Sequence, residues 1–344
     1  MVGLRKRGED IRCFIIENVE EHPRDITTIA AEKFDVSRQA INKHINKLVE
    51  QGSINRSGKT RNRTYTLAPT AQYRESFELS PSLEEDQVWR RNIKPRLGEL
   101  PDNVMDIWHY GMTEMINNAI DHSDGATLLV NIVRTAQDTK AIIHDDGIGI
   151  FRKIMTELDL EDERHAVLEL SKGKLTTDPT RHTGEGIFFT SRVFDSYAIM
   201  SGEVYFSHNF EDIEDFILQN ERPMNGTTVF MDISNNTART TKSVFDQYTT
   251  DEDYGFNKTV VPVKLAQYGN ENLVSRSQAK RLLARVDRFR IVVFDFEDVE
   301  TIGQAFADEI FRVFASNNAD VEIYSTNMTK DVAQMVGRAK VREA

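Results

Sequence analysis

The chain has 344 residues, a formal net charge of −12 and one cysteine. At roughly 150 residues per domain this length suits two or three domains, which excludes one small cooperative unit, and no run approaches the roughly 18 consecutive apolar residues of a membrane helix. Cys13 stands alone in the apolar run Cys13-Phe14-Ile15-Ile16, so an internal disulfide and a cysteine metal cluster are excluded. The start, Met1-Val2-Gly3-Leu4-Arg5-Lys6-Arg7, runs into acidic residues instead of a signal-peptide apolar core, and the expectation is a soluble cytoplasmic protein.

Charge is unevenly spread. Residues 1–67 carry 13 Lys and Arg against 9 Asp and Glu, net +4, so the acidity belongs to the rest of the chain. In this basic head, Ile11, Phe14, Ile15 and Val19 recur at helical spacing between Gly8 and about Glu20, and Pro23 marks the break. A short amphipathic helix follows over Asp25 to Phe34. A third opens with Ser37 as N-cap, faces inward with Ala40, Ile41, Ile45, Leu48 and Val49, and outward with Arg38, Gln39, Asn42, Lys43 and Asn46. Gly52 ends it. Two short β-prone runs, Ser53-Ile54-Asn55-Arg56 and Thr64-Tyr65-Thr66-Leu67, then flank a polar tip that carries Arg61 and Arg63.

Three helices followed by a basic hairpin resemble the winged helix-turn-helix domains of bacterial and archaeal regulators, over residues 1–68. The resemblance implies binding of double-stranded DNA, with Ser37, Arg38, Gln39, Asn42 and Lys43 in the major groove and Arg61 and Arg63 on the backbone. Winged helices also serve as protein-interaction modules; the local basic charge favours DNA.

A polar stretch near Pro69 to Pro81 and a helical segment with Val88, Trp89, Ile93 and Leu97 read together as a helical linker, 69–100. Pro101 starts a further helix on which Glu114, Asn118 and Asp121 stand at i, i+4 and i+7. One face therefore holds a carboxylate, an amide and a second carboxylate, hard oxygen groups that suit a hydrated Mg²⁺ and a water-activating base. Two strands follow, Leu128 to Val133 and Ala141 to His144, and the second runs into Asp145-Asp146-Gly147-Ile148-Gly149. Asp145 can accept from a nucleobase amine while Gly147 and Gly149 allow a tight turn. Next, Arg181-His182-Thr183-Gly184-Glu185-Gly186-Ile187 precedes an apolar helix whose free amides can cradle phosphates. Fourth, Asn225-Gly226-Thr227-Thr228-Val229 is a turn into a strand with hydroxyls for the base-reading carboxylate.

The four boxes, in this order over about 120 residues, resemble the GHKL (Bergerat-fold, histidine-kinase-like) superfamily of gyrase, chaperone and histidine-kinase ATPases. The resemblance implies ATP and Mg²⁺ as cofactors, Glu114 as general base, Asn118 as metal ligand and Asp121 as support. It also implies Asp145 as adenine reader, Gly147 and Gly149 as backbone contacts, Thr183, Gly184, Glu185, Gly186 and Ile187 at the phosphates, and Thr228 near the adenine. Residues 151–182 would form an ATP lid in which Lys172 or Lys174 closes on the γ-phosphate. Thr183 departs from relatives that carry a further glycine there.

Whether phosphate goes to water or to protein separates two readings. His109 lies five residues before Glu114 on the same helix, where it reads as a packing or polar-face histidine and not as a phosphoacceptor. A serine/threonine or histidine protein kinase of the anti-sigma type, acting on a partner protein, is the alternative.

In the tail, a basic helix from Ser275 to Arg288, a strand over Phe289 to Phe296, an apolar helix over Gly303 to Val313, a strand over Val321 to Tyr324 and a helix over Thr329 to Arg338 alternate. The segment Val293 to Phe306 resembles the STAS-like domain found behind such ATPases. It departs at the phosphoserine position, where Gly303 or Gln304 stands and Thr301 is the nearby hydroxyl, so a plain α/β interaction module for a protein partner is the expectation.

The fold class expected is thus multidomain α+β: a winged helix-turn-helix (1–68), the helical linker, a GHKL α/β sandwich ATPase domain (101–235) and a small STAS-like α/β domain (255–344). The function expected is an ATP-binding and ATP-hydrolysing DNA-binding regulator, in which lid closure controls DNA or partner engagement. No membrane is involved, and family resemblance allows a homodimer. An ATP-switched interaction protein whose head never meets DNA is the remaining class.

Overall fold

A computed structural model describes residues 2–59, 62–175, 184–210, 215–249, 255–267 and 271–341. Helices α1 (Val2–Asn18), α2 (Ile26–Phe34) and α3 (Arg38–Glu50) precede an antiparallel pair, β1 (Ile54–Ser57) and β2 (Thr64–Leu67), with Ile54 opposite Leu67. The Ser37 hydroxyl accepts from the Ala40 amide at 3.2 Å, which satisfies one of the free donors at the start of α3. Ile15, Val19, Ile26, Ile41 and Ile45 close a core that belongs to this unit alone.

The middle of the chain is built on one antiparallel sheet. Strand β3 (Ala71–Glu78) leads into α4 (Glu85–Val88), a π-helical turn (Trp89–Ile93) and α5 (Lys94–Leu97), then α6 (Asp102–His122). After these come β4 (Thr127–Arg134), β5 (Asp138–Asp145), α7 (Ile150–Glu157), α8 (Glu163–Lys172), α9 (Gly186–Val193), β6 (Ser196–Asn209) and β7 (Asp215–Ser234). The sheet order is β3-β4-β5-β7-β6. Leu128, Val130 and Ile132 of β4 and Ala141 and Ile143 of β5 alternate inward, in the same core as Val104, Ile107, Trp108, Met112 and Met115 of α6.

One expectation changes here. The linker is not wholly helical: residues 71–78 are the edge strand of this sheet, with Tyr73 opposite Ile132 and Phe77 opposite Leu128. Their alternation is diluted by Arg74, Glu75 and Glu78, charges that an edge strand tolerates because one flank stays wet. Within the expected lid, 151–182, α8 buries Ala166, Val167, Leu168 and Leu170 in the core. Residues 176–183 lie outside the described part.

The last third adds α10 (Thr241–Phe245), β8 (Lys258–Pro262), α11 (Arg276–Leu283), β9 (Ile291–Asp295), α12 (Gln304–Asp308), a π-helical turn (Glu309–Phe314), α13 (Ala315–Asn317), β10 (Glu322–Thr326) and α14 (Lys330–Val341). Its three strands are parallel in the order β10-β9-β8. The basic helix expected to reach Arg288 stops at Leu283, since Arg285 takes a left-handed conformation (φ 59°) before a short 3₁₀ turn, Val286–Arg288. This region does not seal a core of its own. The Phe256 ring meets Phe188 at 4.6 Å and Phe289 at 5.2 Å between centroids, so one continuous core runs from Val88 to Ala339. Among the described residues no helix is long and apolar enough to cross a membrane.

Candidate functional site

Helix α6 supplies the floor of a cavity of about 440 Å³, a volume suited to a small-molecule ligand. Glu114, Asn117, Asn118 and His122 line it, four positions that share one helical face, while Asp121 is not among the lining residues. At one end stands Asp145, 6% exposed, whose Oδ1 accepts from the Gly147 amide at 3.0 Å and the Thr227 amide at 3.3 Å. Burial raises its pKa above the ordinary carboxylate value, and those two amides and the Thr227 hydroxyl hold the rise in check. At the other end, Gly184, Glu185, Gly186 and Ile187 lead into α9.

This second end is strongly polar. A Cβ on Gly186 would fall 2.0 Å from Glu114 Oε2, so the bare backbone there is what lets the carboxylate approach the start of α9. Burial raises the pKa of Glu185, opposed by Lys174. Tyr110 lines the cavity too, and burial, then Glu114 and Glu185, push its phenol well above the usual range, so it stays protonated and able to donate. Between the ends, Asn118 Nδ2 is buried without a hydrogen-bond partner. An amide left so loses its solvation and gains nothing, unless something enters the cavity with an acceptor.

Several residues expected at the site stand elsewhere. Lys172 is 1% exposed, pairs with Glu169 Oε1 at 2.7 Å and donates to the carbonyls of Arg281 at 3.2 Å and Ala284 at 2.9 Å; it does not line the cavity. Lys174 donates to the Arg288 carbonyl at 3.2 Å and lies 4.8 Å from the Phe289 ring centre, so it too is held by the C-terminal region. Thr228 bonds His144 Nδ1 at 2.9 Å, whereas Thr227 pairs across the sheet with Asp145 and lines the cavity. The one-residue offset moves the hydroxyl to the opposite face of the strand. Gly147 and Gly149 serve protein packing: an added Cβ would meet Ser123 O at 2.0 Å and Ser201 Oγ at 2.5 Å, and Gly149 has φ 89°. Thr183 lies outside the described residues.

Sequence reasoning missed Tyr110, Asn117, His122, Lys153 and Thr227, as well as the aromatic wall of Phe188, Phe189 and Phe245. Helical arithmetic from Glu114 reaches Asn117, whereas Thr227 is reached from Asp145 only through the pairing of β5 with β7. Lys153, tied to the His122 carbonyl at 2.8 Å and Asp124 at 3.1 Å, had no local signal.

In the head, Ser37, Arg38, Gln39 and Lys43 are exposed along α3 and Asn42 is half-buried. Arg56 of β1 donates to Asn46 Oδ1 at 3.1 Å and fixes the hairpin against this face. Arg63 is exposed; Arg61 lies outside the described residues.

Residues 278–333 match the STAS-like domain of unknown function (DUF4325). The match runs from α11 to the start of α14, and the chain thus carries a C-terminal STAS-like domain. Thr301 is exposed there, while Gly303 abuts Val274, whose Cα would be 2.7 Å from an added Cβ. No curated protein matches the chain.

Proposed function

We propose that the chain binds Mg²⁺-ATP in the cavity lined by α6 and hydrolyses it, and that the bound nucleotide controls how the head engages double-stranded DNA or a partner protein. Asn118 carries this reading. Its partnerless buried amide sits in a cavity lined by residues of all four sequence boxes, Glu114 and Asn118, Asp145, Gly184 to Ile187, and Thr227. The order of those boxes resembles the GHKL ATPases, and three helices with a basic hairpin resemble a winged helix-turn-helix.

The donor set fits the group. Asn118 Oδ1 would hold Mg²⁺ together with phosphate oxygens and water, and Nδ2 would find its acceptor on a phosphate. When bound, Mg²⁺ neutralises phosphate charge in the transition state. Asp145 accepts from the adenine amine, kept in place by the Gly147 and Thr227 amides. Tyr110 donates to the phosphate end, and the amides at the start of α9 face the developing charge. Glu114 orients a water and takes its proton as the water oxygen bonds to the γ-phosphorus and the bond to ADP breaks.

The test is to incubate the protein with γ-labelled ATP and Mg²⁺, with and without duplex DNA, and to measure free phosphate and protein-bound label in one tube. Free phosphate that disappears with Glu114→Ala supports the reading, and stimulation by DNA ties the head to the cavity. Label retained on protein replaces hydrolysis by phosphotransfer. Absence of both products overturns the enzymatic claim.

A further inference from the structure

Helix α8 stands between the candidate cavity and the C-terminal region. Leu170 and, just beyond the helix, Leu175 line the cavity, whereas Glu169 and Lys172, one turn apart, face the other way. Both charges are 1% exposed. Lys172 Nζ spans Glu169 at 2.7 Å and the carbonyls of Arg281 and Ala284, which close the end of α11. Arg285 reaches the second carboxylate oxygen, Glu169 Oε2, at 3.0 Å. His165 Nε2 lies 3.7 Å from Oε1. From the same region, the Thr259 hydroxyl of β8 donates to the Lys172 carbonyl at 2.7 Å.

A buried ion pair is expensive to desolvate and gains little stability over apolar residues of the same size, but it fixes one geometry because every alternative leaves a charge unpaired. Here three contacts to the pair, and a fourth to the Lys172 carbonyl, are made by residues 259–285, none of whose described residues lines the cavity. The far side of α8 is therefore held from the C-terminal region while its near side shapes the pocket. Arg192 of α9 continues the same layer: it donates to the Ser171 carbonyl at 3.4 Å and lies 3.7 Å from the ring centre of Phe188, another lining residue.

We infer that Lys172 is a positioning residue of the nucleotide pocket, through which the C-terminal STAS-like region sets the α8 wall and senses occupancy of the cavity. The inference rests on the nucleotide reading above. Linkage is reciprocal: if docking of this region favours the pocket geometry that binds nucleotide, nucleotide favours docking by the same factor. The STAS-like region is then part of the pocket's support and not a detachable module.

The experiment uses the full chain, a fluorescent ATP analogue for affinity, and amide hydrogen exchange with and without the analogue. In the wild type, binding should slow exchange in β8 and across residues 284–295, although none of these lines the cavity. Lys172→Met, which keeps the length of the side chain, should weaken the analogue about tenfold and abolish that distant protection. Thr259→Val removes a single hydrogen bond, keeps the shape, and should do the same to a smaller degree if Lys172→Met does not fold. Wild-type binding without any change in β8 or 284–295 overturns the inference, as does wild-type affinity and protection in both variants. Absence of binding by the wild type overturns the nucleotide reading, and this inference with it.

Discussion

Two helices flank the same cavity, and each carries polar groups at helical spacing: Glu114 and Asn118 on α6, Glu169 and Lys172 on α8. On α8 Glu169 and Lys172 are answered inside the protein. On α6 the Asn118 amide nitrogen is buried and unanswered. The same residue classes, at nearly the same spacing, thus divide into scaffold and site by whether the fold supplies their partners. A buried polar group that is satisfied confers geometry, and Asn118 differs from the other unpartnered buried groups in lining the cavity.

The comparison can be broken first at α6. Glu114→Ala should leave nucleotide binding in place and lower turnover by about 10²- to 10⁴-fold, the range for a general base, read as phosphate release at saturating ATP; an unaltered rate would remove Glu114 from the chemistry. On α8 the expected loss is of stability. Lys172→Ala leaves Glu169 buried with its nearest cation gone and should cost about 3–5 kcal/mol in denaturant unfolding, while Asn118→Ala, which removes an orphaned polar atom, should cost far less yet abolish Mg²⁺-ATP binding. Equal stability losses at the two helices would erase the distinction.

Acid sharpens the contrast. Burial opposes ionisation of Glu169, but His165, Lys172 and Arg285 outweigh it and hold its carboxyl at about 2 against an ordinary 4.5. The stability this contributes is present above the ordinary carboxylate range and lost as pH falls towards 2. Glu169→Gln should flatten that part of a stability-against-pH curve. The smallest effect expected is in the head, where Arg63→Ala should lower the salt slope of duplex binding by about one if it touches a phosphate. A slope unchanged from wild type would release Arg63 from the DNA reading.

Much of the candidate site was legible because its residues are tied to local geometry. Ser37 as a helix cap, the α6 face and the Asp145 turn are each fixed by a few consecutive residues. Thr228 was misassigned to the cavity by one position because the motif names two adjacent threonines, and only pairing of β5 with β7 selects Thr227. Residues 71–78 read as linker because charges hid the alternation of an edge strand. Lys172 was a candidate for a phosphate because it lies beside glycine in the polar stretch between two boxes; two of its partners, the carbonyls of Arg281 and Ala284, lie more than a hundred residues away.

By itself the sequence determined the order of elements, the basic head with its own core, and the helix face that carries Glu114 and Asn118, since helical and strand periodicities act over a few residues. The tertiary structure adds that the C-terminal region shares a core with the middle of the chain, that α8 packs in that core beside the cavity, and which buried polar groups are satisfied. Satisfaction of a buried charge depends on atoms brought together from distant positions, and no local pattern records it.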